Sequence, residues 1–193
     1  MSRYELRSRI WRAGILAVLI LGTACAPSDP AVKIEPSVSS IQENHTAASV
    51  SSEPVVKVAP PESLLQVDDT TRVPVTVENI ANLIAYEMHL SFDANVLEVI
   101  ELKDGGFIQA DFVVQNIFDN TAGTIDYAVA QIEQPPANGN GTLFEIVFRA
   151  KAPGESPIRF RETQAAPAGV LLSDPNGVEI QVSFLSGSLE VSQ

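Results

Sequence analysis

Side chains suited to catalysis are few in this chain, apart from carboxylates. It has two histidines and one cysteine among 193 residues. His45 lies in a stretch rich in Ser, Glu and Ala, whereas His89 lies in the alternating segment IAYEMHLSF. One histidine without a neighbouring nucleophile motif does not predict a catalytic triad, and so few ligands do not predict a zinc site. We therefore expect His89 to be an exposed residue of a sheet or a contact for a partner.

Carboxylates are abundant, with 24 Asp and Glu residues. Glycosidases use a pair of them, but abundance makes any one pair uninformative, and no catalytic pair is predicted. Calcium takes oxygen ligands from loop carboxylates, which segments 174–177 (DPNG) and 68–69 (DD) supply without the spacing of an EF-hand. We interpret both segments as turns. The sequence therefore predicts no enzyme and no bound metal or cofactor.

Residues 1–24 have the layout of a signal peptide. Four arginines precede the uncharged run AGILAVLILGTA at 13–24. A helix of this length spans about 18 Å, well short of the roughly 30 Å hydrocarbon core of a membrane. We therefore predict export rather than a transmembrane span. The residues LGTAC at 21–25 resemble a bacterial lipoprotein lipobox, with Gly22 where Leu is usual, and this resemblance implies that Cys25 carries a lipid anchor. An ordinary signal peptide cut near Ala24 is the alternative.

Loss of residues 1–24 would make the exported chain more acidic. The net charge of the whole sequence is −12, and the segment carries Arg3, Arg7, Arg9, Arg12 and Glu5. The remainder therefore has a net charge of about −15 by this count of residues, which opposes binding to nucleic acid or to anionic lipid surfaces. Any contact with a membrane is expected only through the N-terminal lipid. We place the protein outside the cell, at its surface.

The chain divides at about residue 54. Residues 25–54 are rich in Ser, Pro, Ala and Glu without a period, which predicts a flexible linker after the lipid-attachment cysteine. From residue 55 to 193, short runs with period-2 alternation are separated by turn residues, which is typical of an all-β sandwich. The runs fit nine strands of one domain. Pro74 interrupts one run, which predicts a strand at the margin of a sheet or one broken by a bulge.

Alternation also predicts which side chains face the core. In 84–92 the residues Ile84, Tyr86, Met88, Leu90 and Phe92 share one face, which we assign to the core. In 124–132 the same pattern places three further apolar residues on the core side: Ile125, Tyr127 and Val129. In 142–151 the residues Phe144, Ile146 and Phe148 alternate with a set that includes Leu143 and Val147, which suggests a strand that is apolar on both sides.

Several stretches of this region resemble a cohesin domain. They are RVPVTVENIANLIAYEMHLSFDANVLEVIEL, GTIDYAVAQ and GNGTLFEIVFRAKAPGESPIRF, and together the resemblance covers about residues 55–192. The most specific parts are SFDANVLEV at 91–99 and the pattern Gly-x-Gly-x-Leu-x-x-Ile-x-Phe at 139–148. This resemblance implies a nine-stranded jelly-roll β-sandwich that binds a dockerin-bearing protein, such as a polysaccharide-degrading enzyme, and catalyses nothing.

The resemblance also implies a binding face. In type I cohesins the dockerin lies on polar residues of the third strand and of a later strand, around a small apolar patch. In this chain the segments 84–92 and 124–132 correspond to those strands. The face then consists of Ala85, Glu87, His89, Ser91, Asp126 and Ala128, with Gln131 joining it if a bulge shifts the end of its strand. Ala85 and Glu87 stand where the family usually has Asn and Asp, so the specificity for the partner is expected to differ.

A carbohydrate-binding module is the alternative function on a similar sandwich. Such modules often stack a sugar ring on an exposed Trp or Tyr. The only Trp is Trp11, in the predicted signal segment, and Tyr86 and Tyr127 are assigned to the core. This distribution favours a protein partner, although polysaccharide binding through polar loops is compatible with it.

Overall fold

The computed structural model describes residues 53–60 and 64–193, and these residues form strands and no helix. The twelve strands are β1 Val55–Val58, β2 Leu65–Gln66, β3 Thr70–Leu83, β4 Ala85–Ser91, β5 Leu97–Asp104, β6 Phe112–Asp119, β7 Thr124–Ala130, β8 Ala137–Ala150, β9 Gly154–Phe160, β10 Val170–Ser173, β11 Ser183–Leu185 and β12 Gly187–Ser192. The predicted all-β class is confirmed. The predicted count of nine strands is wrong; β2 and β10, of two and four residues, are among the strands that the alternation did not indicate.

The strands form two sheets that enclose one core. The first has the order β11-β1-β3-β8-β5. The second has the order β2-β12-β9-β4-β7-β6, with β10 also paired to β4. One edge of β4 is shared: its last residues pair with β9, and its first four pair with β10. The intervening residues leave the sheet and return to it at Gly169, whose carbonyl accepts a hydrogen bond from the amide of His89.

The core follows the predicted alternation. Its largest buried side chains from the second sheet are Tyr86, Met88, Leu90, Ile125 and Tyr127, and those from the first sheet are Phe144, Ile146 and Phe148. The ring centroids of Tyr127 and Phe144 lie 4.5 Å apart across the two sheets, and the Tyr86 hydroxyl donates to the Leu143 carbonyl at 2.6 Å. Burial raises the pKa of Tyr86 and Tyr127, so both remain neutral phenols. Ile84 is only partly buried, because it lies between β3 and β4.

The two longest strands lie inside the first sheet. On β8 both Leu143 and Val147 are buried, but Glu145 and Arg149 on the same side are partly exposed, so the outer side of this strand is apolar only in part. The marginal position predicted for the strand of Pro74 is wrong, because β3 lies between β1 and β8. Pro74 is tolerated since its missing amide faces the end of β1: the amide of Ala59, just after that strand, donates to the Pro74 carbonyl. A register shift with β8 follows directly, between Val75 and Thr76.

Carboxylates organise the turns. Asp119 caps the β6–β7 turn by accepting the amides of Thr121 and Ala122, and Gly123 closes it with a φ of 67°. Asp174 accepts the amides of Asn176 and Val178. The segment 174–177 is therefore a turn. Within the described residues, no group of three or more His, Cys, Asp or Glu side chains is placed to hold a metal ion.

The N-terminal predictions concern another part of the chain. Residues 1–52, which include the predicted signal segment 1–24, Cys25 and almost all of the predicted linker, lie outside the described residues. Among the residues that are described, the structure contains no helix long and apolar enough to cross a membrane.

Candidate partner-binding face

Four strands of the second sheet share an outer face, which we name the β4–β7 face. It is built from the outward side chains of β10, β4, β7 and β6, in rows that the strand register defines. The central rows pair Ala85 with Ala130, Glu87 with Ala128, His89 with Asp126, and Ser91 with Thr124. The six residues predicted for this face from β4 and β7 are therefore on one surface, in an unbroken register.

Gln131 is the exception among the predicted residues. It follows β7, whose pairing with β4 contains no bulge, and its side chain is buried. The side-chain Oε1 of Gln131 accepts a hydrogen bond from the backbone amide of Gln109 at 2.7 Å, and its Nε2 donates to the Pro135 carbonyl at 2.8 Å. Both ends of this amide are thus used to hold two loops together. The assignment of Gln131 to the binding face is wrong.

His89 lies at the centre of the face but is not exposed to solvent. Only 5% of the residue is accessible, which corrects the expectation of an exposed histidine. Its Nδ1 lies 2.5 Å from Asp126 Oδ1, and its Nε2 lies 2.7 Å from Glu87 Oε1. The two carboxylates cover the ring from opposite sides, so the predicted acidic residues of the face are engaged with histidine.

Arg161 completes this group, and sequence reasoning missed it. It follows β9, its amide donates to the His89 carbonyl, and its Nη2 donates to Asp126 Oδ1 at 2.5 Å. We name Glu87, His89, Asp126 and Arg161 the charge cluster. The sequence did offer one signal for Arg161, since it is a basic residue next to the apolar Phe160 in an acidic domain. Its partner Asp126 could not be predicted, because the two residues meet only through the pairing of three strands.

Two buried polar atoms near the charge cluster have no hydrogen-bond partner among the described residues. They are Arg161 Nε and Gln115 Oε1. Gln115 lies on β6 directly opposite Ala128, so its side chain belongs to the β4–β7 face. Because most buried polar atoms in native proteins are paired, each of these atoms is a place where a bound molecule could supply a hydrogen bond.

The other end of the face is an apolar trough. A cavity of about 140 Å³ is lined by residues of all four strands, among them Ala85, Ala128, Ala130, Val114 and Leu171. A register shift in β6 between Val113 and Gln115 inserts Val114 as an extra residue, and it is highly exposed. Cavities of about 150 Å³ with apolar linings accept a benzene-sized group. The trough therefore matches one apolar side chain in size and chemistry.

Comparison with known proteins identifies the family to which this sandwich belongs. A family model of the cohesin domain matches residues 54–191, which is most of the chain. The chain belongs to the cohesin domain family. Cell surface glycoprotein 1 of Acetivibrio thermocellus is 28% identical to this cohesin domain over 130 residues. The match covers 55% of this chain. The matched stretch makes up 6% of that much longer protein.

Solved cohesins share the fold at low sequence identity. A cohesin in a type I cohesin–dockerin complex from Clostridium thermocellum is 18% identical with a TM-score of 0.62, covering 73% of this chain and all of that chain. A type II cohesin of the ScaA adaptor from Acetivibrio cellulolyticus is 16% identical with a TM-score of 0.64, covering 73% and 98%. A non-cellulosomal cohesin from Archaeoglobus fulgidus is 19% identical with a TM-score of 0.59, covering 74% and 93%.

The opposite outer face of this cohesin domain is built differently. Its strands β1, β3, β8 and β5 carry ion pairs between neighbouring side chains: Lys57 with Glu78, Arg72 with Glu145, and Arg149 with Glu98. These side chains are between about a quarter and two thirds exposed. Such a face is solvated, whereas the β4–β7 face surrounds one buried histidine with two carboxylates and an arginine that are a quarter to a third exposed, beside an open apolar trough.

Proposed function

We propose that residues 55–193 form a non-catalytic module that docks a dockerin-bearing protein through the β4–β7 face. The observation that carries this proposal is membership of the cohesin family, together with solved cohesins of the same fold in complex with dockerins. The proposed contacts are Ala85, Glu87, Ser91, Asp126 and Ala128, with His89 supporting its two carboxylates. A polysaccharide-degrading enzyme is a suitable dockerin-bearing partner.

The face offers a partner two kinds of contact. The trough between Val114 and Leu171 accepts one apolar side chain, and burial of an aliphatic side chain stabilises a complex by roughly 1.5–3 kcal/mol. The charge cluster next to it offers carboxylate oxygens to donors of the partner. A partner surface with an apolar residue flanked by hydrogen-bond donors therefore fits this face.

The test is calorimetric titration of the full chain, purified in a mild detergent. The proposal predicts binding of at least one dockerin module from the same organism and none of cello- or xylo-oligosaccharides. Both tyrosines of the described residues, Tyr86 and Tyr127, are buried, so neither can serve as a stacking platform. Binding of the oligosaccharides with no binding of any dockerin module would replace this proposal with the carbohydrate-binding function.

We also propose that the module is exported and held at the cell surface by a lipid on Cys25, with residues 26–54 as a spacer. The surface location of the Acetivibrio relative, as its name gives it, supports the extracellular role. The Cys25→Ala variant should leave the membrane fraction and appear in the soluble exported fraction. Retention in the membrane fraction would show that another element anchors the chain, and a Ser28→Ala variant serves as the matched control.

A further inference from the structure

The two ring nitrogens of His89 each lie against a carboxylate oxygen, at 2.5 Å from Asp126 and 2.7 Å from Glu87. A carboxylate is only an acceptor, so both contacts are hydrogen bonds only when both nitrogens carry hydrogen. That form of the ring is the imidazolium. A neutral imidazole would direct a lone pair at one of the two carboxylates, and that contact would be repulsive.

Charged groups reach His89 from every strand around it. Glu87 lies on β4, Asp126 on β7, and Arg161 directly after β9. Two further charged residues lie one row further along the sheet. Arg159 of β9 is opposite Ser91, and Asp119 of β6 is opposite Thr124. With the imidazolium in place, the charge cluster holds two negative and two positive charges and is neutral. Loss of one proton leaves it with a net charge of −1.

The two carboxylates would respond differently to this loss. Asp126 keeps a second donor, because Arg161 Nη2 binds the same oxygen. Glu87 accepts a hydrogen bond from His89 and from no other described residue. The contact between His89 and Glu87 is therefore the one that breaks, and Glu87 turns towards solvent beside the trough that it helps to line.

We propose that protonation of His89 regulates docking at the β4–β7 face. This inference rests on the proposed function of that face. A docked partner covers the charge cluster, and covering a neutral cluster in which both carboxylates are hydrogen-bonded costs less than covering one with an unpaired carboxylate. The partner therefore binds the protonated form better. Docking therefore tightens as the pH falls.

The first test concerns the free, full-length chain and needs no partner. NMR of the histidine rings and of the Glu87 carboxyl carbon, followed from about pH 8 to about pH 5.5, should show Glu87 responding in step with the protonation of His89. The His45→Gln variant assigns the remaining ring signal to His89. A Glu87 signal that does not change with the His89 ring would overturn the proposed switch.

The second test is the affinity for a dockerin module that binds the chain. We expect about tenfold tighter binding at pH 5.5 than at pH 8, which is equivalent to roughly 1.4 kcal/mol. The His89→Gln variant should bind equally at both values, while His45→Gln keeps the dependence. Equal affinity of the native chain at both values would overturn the regulation. Failure to bind any dockerin would instead reject the docking function, and the NMR result would still decide the switch.

Discussion

The two outer faces of the sandwich use charged residues in opposite ways. On the β1–β3–β8–β5 face, Lys57 and Glu78 meet at 2.7 Å with both side chains at least a third exposed. On the β4–β7 face, the His89 ring meets two carboxylates while only 7% of its side chain is accessible. Exposed pairs contribute little to stability, because water screens them and their side chains lose entropy. A buried charged group instead lowers the stability strongly when any one of its partners is removed.

This difference separates a solvated surface from the surface that we propose as the docking face. Ion pairs exposed along β3 and β8 keep their water and discourage association. On the β4–β7 face the carboxylates contact His89 and Arg161, and the adjacent trough is open. The comparison therefore supports the proposed docking face without reference to any bound molecule. It also predicts that equivalent substitutions on the two faces have unequal effects.

The largest expected effect on stability is that of Asp126→Ala. It leaves His89 facing a single carboxylate and Arg161 without its acceptor, so we expect a loss of about 1.5–3 kcal/mol in the free energy of unfolding. The matched control is Glu98→Ala on the opposite face, whose partner Arg149 is about half exposed. That variant should lose less than about 1 kcal/mol. Urea unfolding of both measures the difference, and equal losses would remove the proposed distinction between the faces.

A smaller effect should come from the turns, which belong to neither face. The hydrogen bonds from the amides of Ala122 and Thr121 lower the pKa of Asp119 below its ordinary value. Its contribution to stability is present above the pKa of the unfolded chain and is lost as the pH falls through the lower folded value. The Asp119→Asn variant should therefore lose less stability than the native chain during acid unfolding. An unchanged acid profile would show that this turn contributes nothing.

Alternation of apolar residues was sufficient to predict most of the strands and the two sides of β4, whereas the choice of one side as a binding face came from the cohesin resemblance. Tyr86 and Met88 had to be on one side of β4, and Glu87 and His89 on the other, because side chains of a strand alternate. Alternation says which side a residue faces and not how deeply it is covered. The burial of His89 arises from Asp126 and Arg161, which are distant in sequence and meet it only through strand pairing.

Other features were hidden for equally physical reasons. Gln131 directly follows a strand, where period-2 reasoning loses its phase, and its amide instead joins two loops. Val114 enters the trough through a bulge, and Leu171 enters it on a strand of four residues. A bulge and a short strand leave almost no trace in a pattern of alternation. The trough was therefore absent from the predicted site, while its floor of Ala85 and Ala128 was present.

The most direct test places one arginine on each outer face and measures affinity for a dockerin module that binds the native chain. Ala85→Arg fills the trough on β4, whereas Thr76→Arg adds the same side chain to β3 on the opposite face. We expect Ala85→Arg to weaken binding at least about tenfold, equivalent to roughly 1.4 kcal/mol, and Thr76→Arg to leave it unchanged. Loss of binding in Thr76→Arg with native affinity in Ala85→Arg would contradict the assignment of the β4–β7 face.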